Sequence, residues 1–103
     1  MNYLVVSCSL NPDSRSKILA KSVRDNIQNL SENVNFLDLA EEEIPFCDGD
    51  NAYSNPTTGK LIEEVQKADG IILCVPIYNY DINASAKNFI ELTGRNWFQK
   101  VVG

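Results

Sequence analysis

The stretch that decides the fold is Gly70-Ile71-Ile72-Leu73-Cys74-Val75-Pro76-Ile77-Tyr78-Asn79-Tyr80. Its opening part, residues 70–75, is a continuous apolar run, which is typical of a β-strand covered on both faces. The run passes at Pro76 into a polar and aromatic loop, and a helical pattern begins at Ala84. A strand that ends in such a loop before a helix is expected to meet a ligand at the carboxyl edge of a parallel sheet.

Strands and helices alternate along the rest of the chain in the same way. The predicted elements are strands at residues 3–8, 34–39 and 70–75, helices at residues 16–30, 60–68 and 84–93, a surface loop at residues 47–59, and the start of a fourth strand at residues 100–103. This alternation predicts right-handed crossovers. We therefore expect one three-layer α/β/α domain over residues 1–103, with a parallel sheet in the order 2-1-3.

Composition removes several classes of function. The net charge of −5, without a basic run, argues against a nucleic-acid partner. The absence of His removes Ser-His triads and imidazole metal sites. The three cysteines form no C-x-x-C pair, which favours a reduced, cytoplasmic setting. No signal peptide is expected before the first strand, and no apolar run approaches the roughly 20 residues of a membrane span.

A phosphate loop is predicted between the first strand and the first helix. The segment Ser9-Leu10-Asn11-Pro12-Asp13-Ser14-Arg15-Ser16 combines hydroxyl, amide and guanidinium donors. The start of the helix adds unpaired N–H groups and the positive end of the helix dipole. We expect Ser9, Asn11, Ser14, Arg15 and Ser16 to converge on one small anion. The alternative is a capped turn that binds nothing.

A second loop, residues 76–80, is predicted to lie beside the first. Strands one and three are neighbours in the order 2-1-3, so the loops that follow them share one edge of the sheet. Tyr78 or Tyr80 can flank a conjugated ring, and backbone N–H groups from Ile77 to Tyr80 can reach its polar rim. The alternative is a set of aromatic residues that closes a surface loop over the core.

The two loops together favour flavin mononucleotide (FMN). The phosphate loop lacks the glycines of the P-loop and of the G-x-G-x-x-G fingerprint, which disfavours ATP and dinucleotides. The predicted ligand contacts are Ser9, Asn11, Ser14, Arg15 and Ser16 for the phosphate and Pro76, Ile77, Tyr78, Asn79 and Tyr80 for the ring. Neither a catalytic residue nor a metal ligand is assigned.

The chain resembles the NADPH-dependent FMN reductase family, which has a flavodoxin-like fold. The resemblance is carried by the segments 8–16 and 76–88, and by Asp38-Leu39 followed by Ile44-Pro45-Phe46. Its most specific part is Pro76-x-Tyr78-Asn79 leading to Lys87-Asn88. The chain departs from the family at Ile77, where an acidic residue is usual, at Cys8, where Gly is frequent, and at Asn83-Ala84, where the family has Pro-Gly-like residues.

The larger departure from the family is in length. Family members continue through a fourth and a fifth strand, and a third flavin-contacting loop follows strand four. We therefore expect an amino-terminal fragment or truncated member that lacks the carboxyl-terminal half of the fold. A sheet that stops at strand three, or at a stub of strand four, leaves an open edge. We expect this edge to pair with another copy of the chain in a homo-oligomer; the alternatives are strand exchange and pairing with a missing partner segment.

The resemblance implies an FMN-dependent NAD(P)H oxidoreductase that reduces a small-molecule acceptor: a quinone, an azo compound, a flavin or a metal. The alternatives are a flavodoxin-like electron carrier, which binds FMN but has no NAD(P)H site, and a truncated remnant that binds no flavin. A further alternative is a metal or catalytic site on Asp69 or on the acidic run at residues 41–43. Such runs are usually solvated loops, and no His or paired Cys completes a ligand set.

Overall fold

The computed structural model describes residues 1–30 and 32–103. The elements follow in the order β1 (Asn2–Ser7), α1 (Arg15–Asn29), β2 (Asn33–Asp38), α2 (Pro56–Lys67), β3 (Gly70–Cys74), β4 (Ile77–Tyr78), β5 (Asp81–Ile82), α3 (Ala84–Thr93) and β6 (Val101–Val102). Short 3-10 turns lie at Leu39–Glu41, Asn51–Ser54 and Gly94–Asn96. None of the helices in these two ranges combines the length and the hydrophobicity needed to cross a membrane.

The larger sheet is parallel and has the strand order β2-β1-β3-β6. This confirms the predicted flavodoxin-like order 2-1-3 and the start of a fourth strand. Ser7 at the end of β1 is in register with Asp38 on β2 and with Cys74 on β3. The three strands therefore end level with one another, and the loops that follow them leave the sheet from one edge.

The side chains of β1 alternate between two apolar layers, because successive residues of a strand point to opposite faces. Leu4 and Val6 face α2 and α3, in the cluster that contains Leu61 and Phe89. On the other face, Val5 packs with Ala20 of α1 and Cys74 of β3. Each layer excludes water from one side of the central strand, which explains why β1 reads as a continuous apolar run.

Helix α2 begins four residues earlier than the sequence predicted, at Pro56 instead of Lys60. The prediction of a loop over residues 47–59 is therefore wrong in its last part. The Asn55 side chain accepts a hydrogen bond from the Thr57 N–H at 2.9 Å, and Pro56 occupies the first helical turn. Pro at that position loses no hydrogen bond and has a backbone angle suited to a helix. Asn-Pro therefore starts the helix here.

Asn83 ties the start of α3 to the end of β1. Its side-chain Oδ1 accepts from the Ala86 N–H at 3.3 Å and caps the helix. Its Nδ2 donates to the Cys8 carbonyl at 2.8 Å, across a sequence separation of 75 residues. The side chain is buried. One amide therefore fixes both the helix that follows the second loop and the strand that precedes the first.

We expect Asn83→Ala to lower the free energy of unfolding more than Asn55→Ala does. Asn55→Ala removes one half-buried cap, worth about 1 kcal/mol. Asn83→Ala removes a cap and also leaves the buried Cys8 carbonyl without its donor, so the loss should reach about 2–4 kcal/mol. Urea denaturation of the two variants, followed by circular dichroism, measures the difference. Equal losses would show that the bond to Cys8 contributes nothing.

Candidate functional site

The two predicted ligand loops lie side by side at the carboxyl edge of the sheet. The Cys8 N–H donates to the Cys74 carbonyl at 3.0 Å, so β1 and β3 stay paired up to the point where the loops begin. A cleft of about 230 Å³ lies between the loops. Leu10 and Asn11 line it from the first loop, and Tyr78 lines it from the second. The start of α3, at residues 83–85, forms the remaining wall of the cleft.

The first loop is held by hydrogen bonds from its own backbone to its own side chains. Ser9 Oγ accepts from the Asn11 N–H at 3.2 Å, and Asn11 Oδ1 accepts from the Asp13 N–H at 3.0 Å. Ser14 Oγ caps α1 by accepting from the Lys17 N–H at 3.3 Å. Each side chain uses an oxygen as acceptor. The hydroxyl hydrogens of Ser9 and Ser14 and the Asn11 NH₂ group remain available to an anion.

The remaining phosphate-loop residues are in the first turn of α1. The backbone N–H groups of Arg15 and Ser16 occupy positions that have no intrahelical partner. Arg15 is exposed and is not part of an ion pair within residues 1–30 and 32–103. Ser9 and Ser14 are buried, whereas Asn11 is exposed. An anion at this turn therefore meets the helix start and the guanidinium group directly.

An ion pair that the sequence did not predict anchors this helix start to β2. Lys17 Nζ lies 2.9 Å from Asp38 Oδ2, and the Asp38 side chain is almost fully buried. The hydrogen bond to Asp38 raises the pKa of Lys17 above its ordinary value. The ammonium group is thus directed to the end of β2. The sequence signal for this ion pair was Asp38, an acidic residue that directly follows the apolar part of β2.

The second loop is a tight hairpin, where the sequence predicted a loop without strand pairing. Strands β4 and β5 pair antiparallel, with Tyr78 opposite Asp81. Asn79 and Tyr80 form the turn with φ values of +52° and +66°. Two successive positive φ angles are typical of a type I′ hairpin, where Asn is favoured and Tyr is unusual. The turn projects Tyr80 into solvent.

The hairpin brings only part of the predicted ring contacts to the cleft. Tyr78 lines it, whereas Pro76, Ile77, Asn79 and Tyr80 are not among its lining residues. Asp81, on the far strand, forms an ion pair with Lys87 at 2.6 Å. The hydrogen bond from Lys87 lowers the pKa of Asp81. This solvent-exposed pair links the hairpin to α3.

The acidic residues considered as an alternative site do not lie in the cleft. The Asp69 carboxylate accepts from the Asn2 N–H at 2.8 Å, at the amino-terminal end of the sheet. Glu42 pairs with Lys60 at 2.5 Å. In the described part of the chain, no group of three or more acidic or cysteine side chains is arranged to hold a metal ion.

Two of the three cysteines are part of the core. Cys8 and Cys74 are buried. Burial, with a smaller contribution from Cys74, raises the pKa of Cys8 to about 12. A thiol with so high a pKa remains protonated and is a poor nucleophile. Cys8 therefore packs as a small apolar residue beneath the phosphate loop.

Comparison with known proteins gives the family of the chain. A model of the NADPH-dependent FMN reductase family matches residues 1–103. An FMN-dependent NADH:quinone oxidoreductase from Erythrobacter litoralis (strain HTCC2594) is 31% identical over 108 residues, which cover 89% of this chain and 55% of that protein. An NADPH azoreductase from Bacillus sp. (strain OY1-2) is 26% identical over 99 residues, with 95% and 53% covered. The chain spans about half the length of these relatives.

Solved structures share the fold. The apo form of the NADH:FMN oxidoreductase EMOB superposes with a TM-score of 0.79 at 17% identity, over 98% of this chain and 55% of that chain. Smu.1420 from Streptococcus mutans UA159 superposes with a TM-score of 0.72 at 26% identity, over 90% and 53%. Because the family model matches the chain from its first residue to its last, the chain belongs to the NADPH-dependent FMN reductase family, as the resemblance predicted.

Proposed function

We propose that this chain forms the FMN-binding part of an NAD(P)H-dependent oxidoreductase that reduces a small-molecule acceptor. The observation that carries the proposal is the cleft that Asn11 and Tyr78 share, because it joins a loop suited to phosphate to a loop suited to a flat ring. The names of the two relatives above include quinone and azo reduction. We extend these acceptor classes to this chain, with a flavin or a metal as further candidates.

The phosphate of FMN would bind at the start of α1. The N–H groups of Arg15 and Ser16 lie at the positive end of the helix dipole. The Arg15 guanidinium adds a charge-assisted bond, and the Ser9, Ser14 and Asn11 donors complete the set. Backbone groups supply much of this site, which is consistent with a chain of net charge −5.

The ring of FMN would lie along the second loop, against Tyr78. When bound, FMN supplies the hydride and electron transfer between NAD(P)H and the acceptor. The residues of the chain position the cofactor and exclude water from one side of it. No side chain is assigned a proton-transfer role.

We also propose that residues 1–103 form one domain and that the chain associates through its sheet edge in the cytoplasm. Val101 and Val102 of β6 are exposed. An exposed apolar edge strand is a template for pairing with another chain. A second copy of β6 is the partner that we infer.

The phosphate site is tested by Ser14→Ala combined with Arg15→Ala. The loss of a hydroxyl donor and a guanidinium should weaken FMN binding by about 2–4 kcal/mol. Riboflavin lacks the phosphate, so its affinity should change little. Flavin fluorescence titration with both ligands gives the comparison. Arg24→Ala removes the same charge farther along α1 and serves as the control. Equal losses for FMN and riboflavin would place the phosphate elsewhere.

The ring site is tested by Tyr78→Ala. Because the phenol ring lines the cleft, its removal should weaken FMN and riboflavin alike, by about 1 kcal/mol or roughly fivefold. Tyr80→Ala changes the neighbouring tyrosine, which points into solvent, and should have the smaller effect. The same titrations measure both variants. A larger loss from Tyr80→Ala would show that the hairpin turns over when it meets the ring.

Steady-state NADPH and NADH oxidation, with FMN and menadione present, separates an enzyme from an electron carrier. We expect consumption of the nicotinamide cofactor that depends on both protein and FMN. FMN binding without any consumption would favour the carrier. A chain that binds no FMN at all would contradict the proposal.

A further inference from the structure

A groove of about 450 Å³ lies between the segment that precedes α2, α2 itself and the end of α3. Its volume falls within the range of small-molecule pockets, about 300–1,000 Å³. Its lining combines an aromatic ring, two aliphatic side chains and three charged ones: Tyr53, Ile62, Leu92, Asp50, Glu91 and Arg95. None of these residues lines the cleft, so a ligand in the groove would leave the flavin site open.

The wall that carries Tyr53 is a turn held by its own hydrogen bonds. The Asp48 carboxylate accepts from the N–H groups of Ala52 at 3.0 Å and of Asp50 at 2.8 Å. The Ala52 side chain is buried in the core beneath the turn. The Tyr53 hydroxyl lies 3.5 Å from the Cys47 thiol, within hydrogen-bonding distance. These contacts hold the phenol ring at the groove, where 44% of Tyr53 stays exposed to meet a ligand.

A contact between distant segments ties this turn to the opposite wall. Asn88 of α3 accepts from the Cys47 N–H through Oδ1 at 2.8 Å, and its Nδ2 donates to the Pro45 carbonyl at 2.9 Å. One turn farther along α3, Glu91 and Leu92 line the groove. Both walls are thus joined through one side chain, so little ordering cost would fall on a ligand that bound between them.

The charged side chains of the groove are exposed. Arg95, Glu91 and Asp50 take part in no ion pair within residues 1–30 and 32–103. The pKa of the Tyr53 phenol is raised chiefly by its hydrogen bond with Cys47, while Arg95 lowers it and Glu91 raises it by smaller amounts. A cation and an anion therefore both lie near this ring, and each is available to a ligand group of opposite charge.

The chemistry of these groups indicates the class of ligand. The planar guanidinium of Arg95 matches a carboxylate, which it can bind with two parallel hydrogen bonds. An ammonium group has three N–H donors and is suited to the carboxylates of Asp50 and Glu91. A ligand that carried only a negative charge would be repelled by the two acids, and one that carried only a positive charge would be repelled by Arg95.

We propose that this groove binds a small zwitterion with an apolar side chain, of the class of the free α-amino acids. The carboxylate would bind Arg95, and the ammonium would bind Asp50 and Glu91. The apolar side chain would pack against the Tyr53 ring. The inference does not rest on the proposed function, because the groove and the cleft are lined by different residues.

Three compounds that share a phenyl group and differ in charge test the site on the unaltered protein: L-phenylalanine, phenethylamine and 3-phenylpropionate. Titration with L-phenylalanine should shift the backbone amide NMR signals of residues 49–53 and 91–96. Its dissociation constant should be about tenfold lower than that of either singly charged compound. Equal affinities for the three compounds, or shifts confined to other parts of the chain, would overturn the proposal. Absence of binding would do the same.

Two variants assign the charges. Arg95→Gln should weaken L-phenylalanine by about tenfold and should not weaken phenethylamine. Glu91→Gln should weaken both of these compounds, because each carries the ammonium group. Arg24→Gln, which removes the same charge from α1, is the matched control and should leave all affinities unchanged. Equal losses from Arg24→Gln and Arg95→Gln would show a general effect of net charge and contradict the assigned contact.

Tyr53 is tested by two substitutions. Tyr53→Ala should weaken L-phenylalanine by about fivefold, whereas Tyr53→Phe keeps the ring and should retain the affinity. Equal losses from the two variants would remove the ring contact from the proposal.

Two further outcomes would overturn the site. Displacement of bound FMN by L-phenylalanine would place the amino acid in the cleft. A lower oligomeric mass for Arg95→Gln, measured by light scattering, would assign the groove to a contact between copies of the chain.

Discussion

The site depends on the level ending of two neighbouring parallel strands. Backbone hydrogen bonds between β1 and β3 continue to the Cys8 N–H, which donates to the Cys74 carbonyl at 3.0 Å. The Asn83 Nδ2 then donates a hydrogen bond to the Cys8 carbonyl at 2.8 Å, and the Oδ1 of the same side chain caps α3. The carbonyl group that directly follows the first strand is thus bound to the residue that caps the helix after the second loop. Main-chain pairing of β1 with β3 and the buried Asn83 side chain together set the distance between the two loops.

The side chains of the first loop hold its backbone through their oxygen atoms, and their hydrogen atoms are not used in those bonds. Ser9, Asn11 and Ser14 accept backbone N–H groups through oxygen and keep their own hydrogens. Because these bonds already order the loop, little ordering cost would fall on an anion that bound to it. The ion pair of Lys17 with Asp38 adds a long-range constraint on the same helix start. Arg15 is left as the cation directed towards solvent.

The sequence predicted those parts of the structure that depend on local patterns. The apolar runs located the strands, and their alternation with helices gave the order 2-1-3 and the shared edge. The early start of α2 at Asn55-Pro56 was missed because the polar composition of that segment concealed its capping chemistry. The hairpin was missed because Tyr80 is a poor residue for a positive φ of 66°. The bonds of Asn88 span 41 and 43 residues, beyond any local pattern.

These differences follow a physical division between the scaffold and the site. The scaffold is specified by periodic burial, which each segment records in its own sequence. The walls of the site are specified by single polar contacts between distant segments, such as Asn88 with the backbone around Phe46. In a chain without His, a bound flavin would supply the reactivity, and selectivity would then depend on shape and charge. One short segment, residues 42–46, supplies both the aromatic ring of Phe46 and the carboxylate of Glu42 to the lining of a cavity that adjoins the cleft.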